Sequence, residues 1–204
     1  MSVKFVLFLI IAYFLGNISP STILGKMQGV DIKKEGSGNA GTTNAMRVLG
    51  VKAGVITLVV DVLKGFLAVW LGMHCVSMAC GELCMIFVLL GHVYPVLLKF
   101  QGGKGVAAAF GAILAVNWPS ALGVLLVAVA GAAITRKMSV GSLAAAISFP
   151  FFVYWFYPVE GLSRFLPISV VMALLIVFTH RKNIDRLIRG EENNISFGKK
   201  KDKK

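Results

Sequence analysis

Charged side chains are scarce in this sequence, and acidic ones are scarcer than basic ones. Only 15% of the 204 residues are charged, with 9 acidic residues against 21 basic ones. Soluble domains carry about 25% charged residues, so the composition excludes an ordinary soluble domain. The hydrophobic share of 57% and the mean hydropathy of +0.80 instead predict a protein that crosses a membrane several times.

Several chemical signatures are also missing. The cysteines number only three, Cys75, Cys80 and Cys84, and they fit neither a disulfide framework nor a metal site, so we expect them to pack in apolar surroundings. No Walker A loop, G-x-S-x-G nucleophile elbow, metal-ligand cluster or nucleic-acid motif is present. We therefore predict no metal, no cofactor and no nucleic-acid partner, although the net charge is +12.

Apolar runs follow one another along the whole chain and predict an all-α integral membrane protein with about seven transmembrane helices. The runs cover residues 5–24, 53–73, 78–98, 106–116, 121–134, 140–156 and 165–178. The fourth and fifth runs are short and flank Pro119, which favours a break. Residues 105–135 therefore form either two short spans or one re-entrant or bent element, which would leave five or six spans.

The distribution of lysine and arginine predicts the orientation. With the N-terminus outside and the C-terminus in the cytoplasm, 18 of the 21 basic residues lie on the cytoplasmic side, as the positive-inside rule requires. We expect residues 1–190 to form a single domain and residues 191–204 to be a disordered basic tail. All of the polar segments between spans fall on the cytoplasmic side, where one site can be assembled from several of them.

The segment "QGGKGVAAA" (residues 101–109) combines glycines and a lysine ahead of an alanine-rich helical run. A helix N-terminus presents free N–H groups and favours an anion, and Lys104 adds a full charge. Gly102, Gly103 and Gly105 would let a phosphate approach the backbone without a Cβ in the way. A tight turn into a helix, with Lys104 at the lipid headgroups, is the alternative.

The segment "GSGNAGTTNAMR" (residues 36–47) is polar and rich in glycine. Its hydroxyl and amide groups are hydrogen-bond donors, and Arg47 carries a planar fork that suits phosphate. A polar loop with helix-capping residues is the alternative. The candidate ligand-binding residues here are Gly36, Ser37, Gly38, Asn39, Thr43, Asn44 and Arg47.

Two further polar segments lie on the same side of the membrane. In "TRKMSVGS" (residues 135–142), Ser139 and Ser142 are placed either to cap the next helix or to reach a ligand. In "THRKNIDRLIRG" (residues 179–190), His180 and Asn183 are three residues apart and share a helical face. A histidine at a membrane boundary has either a structural or a catalytic role.

Charged residues inside the predicted spans need partners. Asp61 and Lys64 are three residues apart on the second span, so we expect a pair, because an unpaired charge there costs about 2.5–3.5 kcal/mol. Glu82 and His92 lie in the third span. We expect His92 to make a hydrogen bond to another helix.

Taken together, "GSGNAGTTNAMR", "GHVYPVLLKFQGGKGVA", "SVGS" and "HRKNIDRL" resemble, in this order and between these spans, the bacterial acyl-phosphate:glycerol-3-phosphate acyltransferases of the PlsY type. The segments "DVLKG" and "AYFLGNISPS" are also similar to that family. The resemblance extends over nearly the whole chain. It implies a seven-span enzyme of the bacterial cytoplasmic membrane with its active site on the cytoplasmic side.

The resemblance also implies an activity. The family transfers the acyl group of an acyl phosphate to the 1-hydroxyl of sn-glycerol 3-phosphate, which gives lysophosphatidic acid and inorganic phosphate, the first step of phospholipid synthesis. It implies catalytic or binding roles for Ser37, Asn44, Arg47, Lys104, Ser142, His180 and Asn183, and for the glycine loop Gly102, Gly103 and Gly105. The expected partners are the two phosphorylated substrates and membrane lipid, with the protein acting as a monomer.

The residues leave three questions open. The proton of the attacking hydroxyl goes either to His180 or to a substrate phosphate. His180 and Asp185 fit the H-x₄-D pattern of a different acyltransferase group, and "PVEG" (residues 158–161) mimics that group's second motif, but it maps to the opposite membrane face. A transporter for a phosphorylated metabolite and a lipid-binding scaffold without catalysis are alternatives of another class.

Overall fold

The structure, a computed structural model, describes residues 2–195, and all of the regular secondary structure in that range is helical. Its ten α-helices are α1 (Val3–Asn17), α2 (Pro20–Met27), α3 (Thr42–Leu49), α4 (Val51–Cys75), α5 (Met78–Val93), α6 (Val106–Val116), α7 (Trp118–Thr135), α8 (Met138–Phe156), α9 (Val159–Thr179) and α10 (Arg181–Ile188). A short 3-10 turn, Val96–Leu98, follows α5. The all-α prediction is therefore confirmed.

Six segments of the described range are long and apolar enough to cross a membrane, and α6 is a shorter apolar helix. The eleven residues of α6 extend about 16 Å, roughly half the thickness of a hydrocarbon core. The predicted first span continues through both α1 and α2, which are separated by a break at Ile18 and Ser19. The number seven stays a prediction, because α6 does not have the length of a full span.

The region 105–135 contains two separate helices, and only the first of them is short. The prediction that the fifth run is short is wrong, since α7 has 18 residues. Pro119 lies in the first turn of α7, where its missing N–H costs nothing. The Asn117 side chain accepts a hydrogen bond from Ser120 N at 2.9 Å and so caps the helix start.

The predicted pair on α4 is confirmed, because Lys64 Nζ lies 2.7 Å from Asp61 Oδ1. Lys64 Nζ also donates hydrogen bonds to Gly16 O at 3.1 Å and Ile18 O at 2.5 Å. Those two carbonyls lie at the end of α1, where the helical hydrogen bonding stops. One buried lysine thus neutralises a carboxylate and stabilises the break between α1 and α2.

Helix packing is closest where glycines face a neighbouring backbone. A Cβ added at Gly91 of α5 would lie 2.0 Å from Tyr13 O of α1. A Cβ added at Gly65 of α4 would lie 2.0 Å from Ala108 O of α6, and one at Gly111 of α6 would lie 1.9 Å from Val62 O of α4. Small residues allow this approach between membrane helices. The contacts fix α6, and with it the glycine loop that precedes α6.

A second buried charged cluster lies where α8 joins α9. The Glu82 carboxylate accepts hydrogen bonds from Tyr157 Oη at 2.5 Å and from the Arg164 guanidinium. The "PVEG" segment belongs to this junction and begins α9, whereas His180 follows the last residue of the same helix. With 21 residues, α9 separates the two by about 30 Å, so "PVEG" and His180 do not form one site.

Candidate active site

Two adjacent cavities lie where the polar segments meet. The larger one, of about 680 Å³, has mostly apolar walls supplied by α4 and by α6 to α9. The smaller one, of about 330 Å³, is lined by Lys104, Arg181, Lys182 and Arg186 and by no carboxylate. The residues that line both cavities are Ser37, Asn39, Lys104, Asn183 and Arg186.

Nearly all of the predicted site residues line one or other of these cavities, although they come from several segments of the chain. Of the predicted site residues, only Gly36 lines neither cavity. Those on the larger cavity are Ser37, Asn39, Thr43, Asn44, Arg47, Lys104, Gly105, Ser142, His180 and Asn183. Gly38, Gly102 and Gly103 line the smaller one.

Asn44 organises the loop that carries Ser37. Its Oδ1 accepts from Ser37 N at 2.8 Å, and its Nδ2 donates to Ile32 O at 3.1 Å and Glu35 O at 3.0 Å. Gly36 has a φ of +61°, and a Cβ there would lie 2.3 Å from Asn44 Oδ1. Both hydrogens of the Asn44 amide are thus used within the protein. The geometry favours a role in holding Ser37 over direct contact with a ligand.

The second half of "GSGNAGTTNAMR" is the helix α3, which begins after Gly41. Thr42 and Thr43 occupy its first turn, and the buried Thr42 Oγ1 has no hydrogen-bond partner within residues 2–195. Arg47, in the last turn, forms no salt bridge with a carboxylate in that range. Its guanidinium, on the wall of the larger cavity, is free to bind an anion.

The glycine loop is packed tightly against the end of α5. Gly102 N donates to Val93 O and Gly103 N donates to His92 O, each at 3.1 Å. A Cβ at Gly102 would lie 1.9 Å from His92 O, and Gly105 has a φ of +85°. Gly102 and Gly103 line the smaller cavity, but their amides donate within the protein and an added Cβ on either would meet protein atoms, so their binding of phosphate stays a prediction. Glycine is required there by close packing.

Lys104 joins this loop to the end of α9. Its Nζ donates to Asn183 Oδ1, and its backbone oxygen accepts from Thr179 Oγ1 at 3.2 Å. Burial lowers the pKa of Lys104 to about 8, an effect that the Glu192 carboxylate opposes and Arg186 reinforces. At neutral pH Lys104 is therefore mostly charged and lies at the junction of the two cavities.

His180 follows the last residue of α9 and is 2% exposed. Its Nδ1 lies 2.8 Å from Ile176 O, so Nδ1 carries the proton and Nε2 keeps the lone pair. Burial lowers the pKa of His180 to about 4, and the charge of Lys104 acts in the same direction. At pH 7 the ring is neutral and presents Nε2 as a hydrogen-bond acceptor.

The H-x₄-D pattern does not form a pair in the structure. Asp185 is exposed and forms an ion pair with Arg189, four residues further along the chain, whose Nη2 lies 3.1 Å from Asp185 Oδ1. The nitrogen of His180 that would face an orienting carboxylate already faces Ile176 O. The geometry therefore gives no support to a His180–Asp185 dyad.

Replacing Asp185 with alanine is expected to leave kcat and KM within about twofold of wild type. Exposed ion pairs of this kind contribute only about 0.3–0.5 kcal/mol. Steady-state acyltransfer rates of purified protein would measure the effect, and His180→Ala would be the comparison. Loss of turnover in Asp185→Ala would restore the dyad as the catalytic unit.

The two serines of "TRKMSVGS" do not cap a helix. α8 begins at Met138, and the capping position is Lys137. Ser139 Oγ donates to Glu192 Oε1 at 2.9 Å, and Ser142 Oγ donates to Met138 O at 2.9 Å. The capping alternative is therefore wrong, and both hydroxyls lie on the wall of the larger cavity.

Glu192 lies in the site, although no pattern in the sequence indicated it. Its carboxylate accepts from Ser139, from Asn183 Nδ2 at 2.6 Å and from Arg186 Nε at 2.8 Å. Burial opposes its ionisation, but these hydrogen bonds lower the pKa of Glu192. Because Asn183 Nδ2 faces Glu192, Asn183 Oδ1 is turned toward Lys104.

Residues 192–195 are thus part of the site, although they fall within the segment 191–204 that was predicted to be a disordered tail. Ile195 N donates to Arg136 O at 2.8 Å, which holds the segment against the start of α8. Residues 192–195 form one side of the larger cavity. The rest of the predicted tail, residues 196–204, lies outside the described residues.

Replacing Glu192 with glutamine is expected to lower kcat/KM about tenfold, because hydrogen bonds to a charged group contribute about 1.5–3 kcal/mol. Glu191→Gln is the matched control, since Glu191 is exposed and carries the same charge. Thermal unfolding of both variants in detergent would separate misfolding from a loss in a folded site. Equal rates for the two variants would show that the Glu192 contacts are unimportant for activity.

Comparison with known proteins identifies the family of this chain. The family model described as glycerol-3-phosphate acyltransferase matches residues 6–190. The chain belongs to the glycerol-3-phosphate acyltransferase family. As a member of that family it is an enzyme, which argues against both the transporter and the non-catalytic scaffold.

Curated relatives are similar in sequence to this chain along nearly their whole length. The glycerol-3-phosphate acyltransferase of Clostridioides difficile (strain 630) is 40% identical, over 98% of this chain and 98% of that protein. That of Chlorobaculum tepidum is 36% identical, over 96% of this chain and 98% of that protein. The family resemblance stated on the motifs is confirmed.

Two solved structures have the same fold as this acyltransferase. They are crystal structures of PlsY (YgiH), an integral membrane glycerol 3-phosphate acyltransferase, in a glycerol 3-phosphate form and a lysophosphatidic acid form. The first has a TM-score of 0.88 at 36% identity and covers 94% of this chain and 96% of its own. The second has a TM-score of 0.84 at the same identity, over 93% and 94% of the two chains.

Proposed function

We propose that this acyltransferase moves a fatty acyl group from an acyl phosphate to the 1-hydroxyl of sn-glycerol 3-phosphate. The products are lysophosphatidic acid and inorganic phosphate. The observation that carries the proposal is the pair of joined cavities, one basic and one apolar, which meet at Lys104 and Asn183. The smaller cavity suits a phosphate with a polar body, and the larger one suits an acyl chain that ends in a phosphate.

Both proposed substrates carry a phosphate, so the site needs two groups of anion ligands. Lys104, with Arg181 and Arg186 nearby, lines the cavity that would hold glycerol 3-phosphate. Arg47 and Ser142 line the cavity that would hold the acyl phosphate. Ser37 and Asn183 lie on both cavities, where the two substrates would meet.

The reaction needs no nucleophilic side chain, because an acyl phosphate is already activated by a good leaving group. The 1-hydroxyl oxygen attacks the acyl carbon, the bond from that carbon to the phosphate oxygen breaks, and the phosphate leaves with the electron pair. His180 Nε2 accepts the hydrogen bond of the attacking hydroxyl. A base with a pKa of about 4 holds a proton weakly, so the proton ends on the released phosphate.

We also propose that the site opens to the cytoplasm of a bacterial cell and that one chain is sufficient. The polar segments that line the cavities carry most of the basic residues, which the positive-inside rule assigns to the cytoplasmic side. Every proposed ligand comes from a single chain, which supports a functional monomer.

The donor is tested with purified protein in a lipidic medium. Labelled glycerol 3-phosphate is supplied with palmitoyl phosphate, palmitoyl-CoA or palmitoyl acyl-carrier protein, and labelled lysophosphatidic acid is measured. We expect product from palmitoyl phosphate alone. Product from the thioesters alone would overturn the proposed donor, and no product from any donor would overturn the proposed reaction.

A further inference from the structure

A second histidine lines the larger cavity and has no part in the reaction as proposed. His92 lies in the last turn of α5 and is 5% exposed. It shares the cavity wall with Asp61, Lys104 and His180. The sequence predicted a hydrogen bond between His92 and another helix, and the group it faces is the Asp61 carboxylate of α4.

The surroundings of His92 define which ring nitrogen carries the proton. Nδ1 lies 3.5 Å from Asp61 Oδ1, longer than a normal hydrogen bond but the nearest approach between the two side chains. A carboxylate only accepts, so this approach favours the tautomer that has the proton on Nδ1 and the lone pair on Nε2. Asp61 is itself fixed by Lys64 Nζ at 2.7 Å.

Nε2 of His92 lies directly beneath the glycine loop. A Cβ added at Gly103 would come within 2.3 Å of it. Within residues 2–195 this nitrogen makes no hydrogen bond, and the ring atom that is fully enclosed without a partner is Nδ1. Nε2 is therefore an acceptor that the protein leaves unused on the wall of the larger cavity, and a donor of the ligand is expected to complete it.

Glycerol 3-phosphate with its phosphate in the smaller cavity would extend its two hydroxyl groups toward the larger one, whose wall has two imidazoles that each offer a lone pair. His180 serves the hydroxyl that is acylated. We propose that His92 Nε2 accepts a hydrogen bond from the 2-hydroxyl of glycerol 3-phosphate, with Asp61 holding the ring in the required tautomer. This inference rests on the proposed function and adds a specificity-determining residue to it.

The test uses an acceptor that lacks only this hydroxyl. 3-Hydroxypropyl phosphate keeps the phosphate and the attacking hydroxyl of glycerol 3-phosphate. A site built to bind a hydroxyl rejects an analogue without it, so we expect wild type to prefer glycerol 3-phosphate by about 10- to 100-fold in kcat/KM. His92→Asn retains an N–H near the place of Nδ1 and removes Nε2.

In His92→Asn we expect kcat/KM to fall for glycerol 3-phosphate and to change less than about twofold for the analogue, so that the preference disappears. His92→Gln places an amide oxygen near the position of Nε2 and should recover part of the preference. The ratio of the two acceptors is insensitive to the amount of folded protein, so partial misfolding does not obscure the result.

Three results would overturn the inference. They are a wild-type enzyme that does not distinguish the two acceptors, an equal loss for both acceptors in His92→Asn, and a preference that survives in that variant. An equal loss would assign His92 to supporting the glycine loop. Failure of the proposed function looks different, because wild type would then form no product from palmitoyl phosphate and either acceptor.

Discussion

Replacing Arg47 with alanine is expected to lower kcat at least about 100-fold, the usual loss when a preorganised donor to developing negative charge is removed. Arg47 lines the larger cavity and has no carboxylate partner in residues 2–195. Its guanidinium is thus available to the phosphate that leaves the acyl group. Negative charge on that phosphate increases as the bond breaks, so the loss should appear in kcat.

Two variants make the Arg47 experiment specific. Arg47→Lys keeps the charge but loses the planar fork, so it should recover only part of the activity. Lys52→Ala removes an exposed basic residue from the start of the neighbouring helix and should behave like wild type. Near-normal kcat in well-folded Arg47→Ala would remove this residue from the catalytic group.

The second large effect concerns Lys104 and pH. Its pKa is lowered to about 8 by burial, so the ammonium is charged below pH 8 and loses its charge above it. We expect kcat/KM for glycerol 3-phosphate to fall about tenfold per pH unit above this value, since kcat/KM follows the free enzyme. The substrate phosphate, with a second pKa near 6, contributes no change in that range.

Lys104→Arg provides the control for this profile, because arginine stays charged up to pH 10 and beyond. Its kcat/KM at pH 7 is expected to be lower than that of wild type, but it should not decline between pH 8 and pH 10. Lys104→Ala is expected to lose about 100-fold at pH 7. A wild-type profile that stays level to pH 10 would contradict the assignment of Lys104 to phosphate binding.

The sequence was informative wherever a physical rule acts over a few residues. The spacing of Asp61 and Lys64 predicted their pair, because residues three apart share a helical face. Pro119 indicated where one helix ends and the next begins. The four motifs also predicted which loops line the cavities, since basic polar segments of a membrane protein gather on one side.

Interactions between distant segments could not be read in the same way. Glu192 contacts Ser139 across 53 positions of sequence, and its polar surroundings in the chain resemble a disordered tail. The packing role of Gly102 depends on the carbonyl of His92, which lies on another element. The sequence predicted that the Asn44 amide binds a ligand. In the structure this amide makes hydrogen bonds with three backbone atoms of the preceding loop.

The two adjacent cavities place a polar compartment next to an apolar one inside one protein. Their shared residues, Ser37, Asn39, Lys104, Asn183 and Arg186, form the boundary between the two. A product with a phosphate head and an acyl tail would form with each half already in the compartment that suits it. Its tail would then pass sideways from the helices into the bilayer without crossing water, so release should depend on the surrounding lipid more than on the aqueous phase.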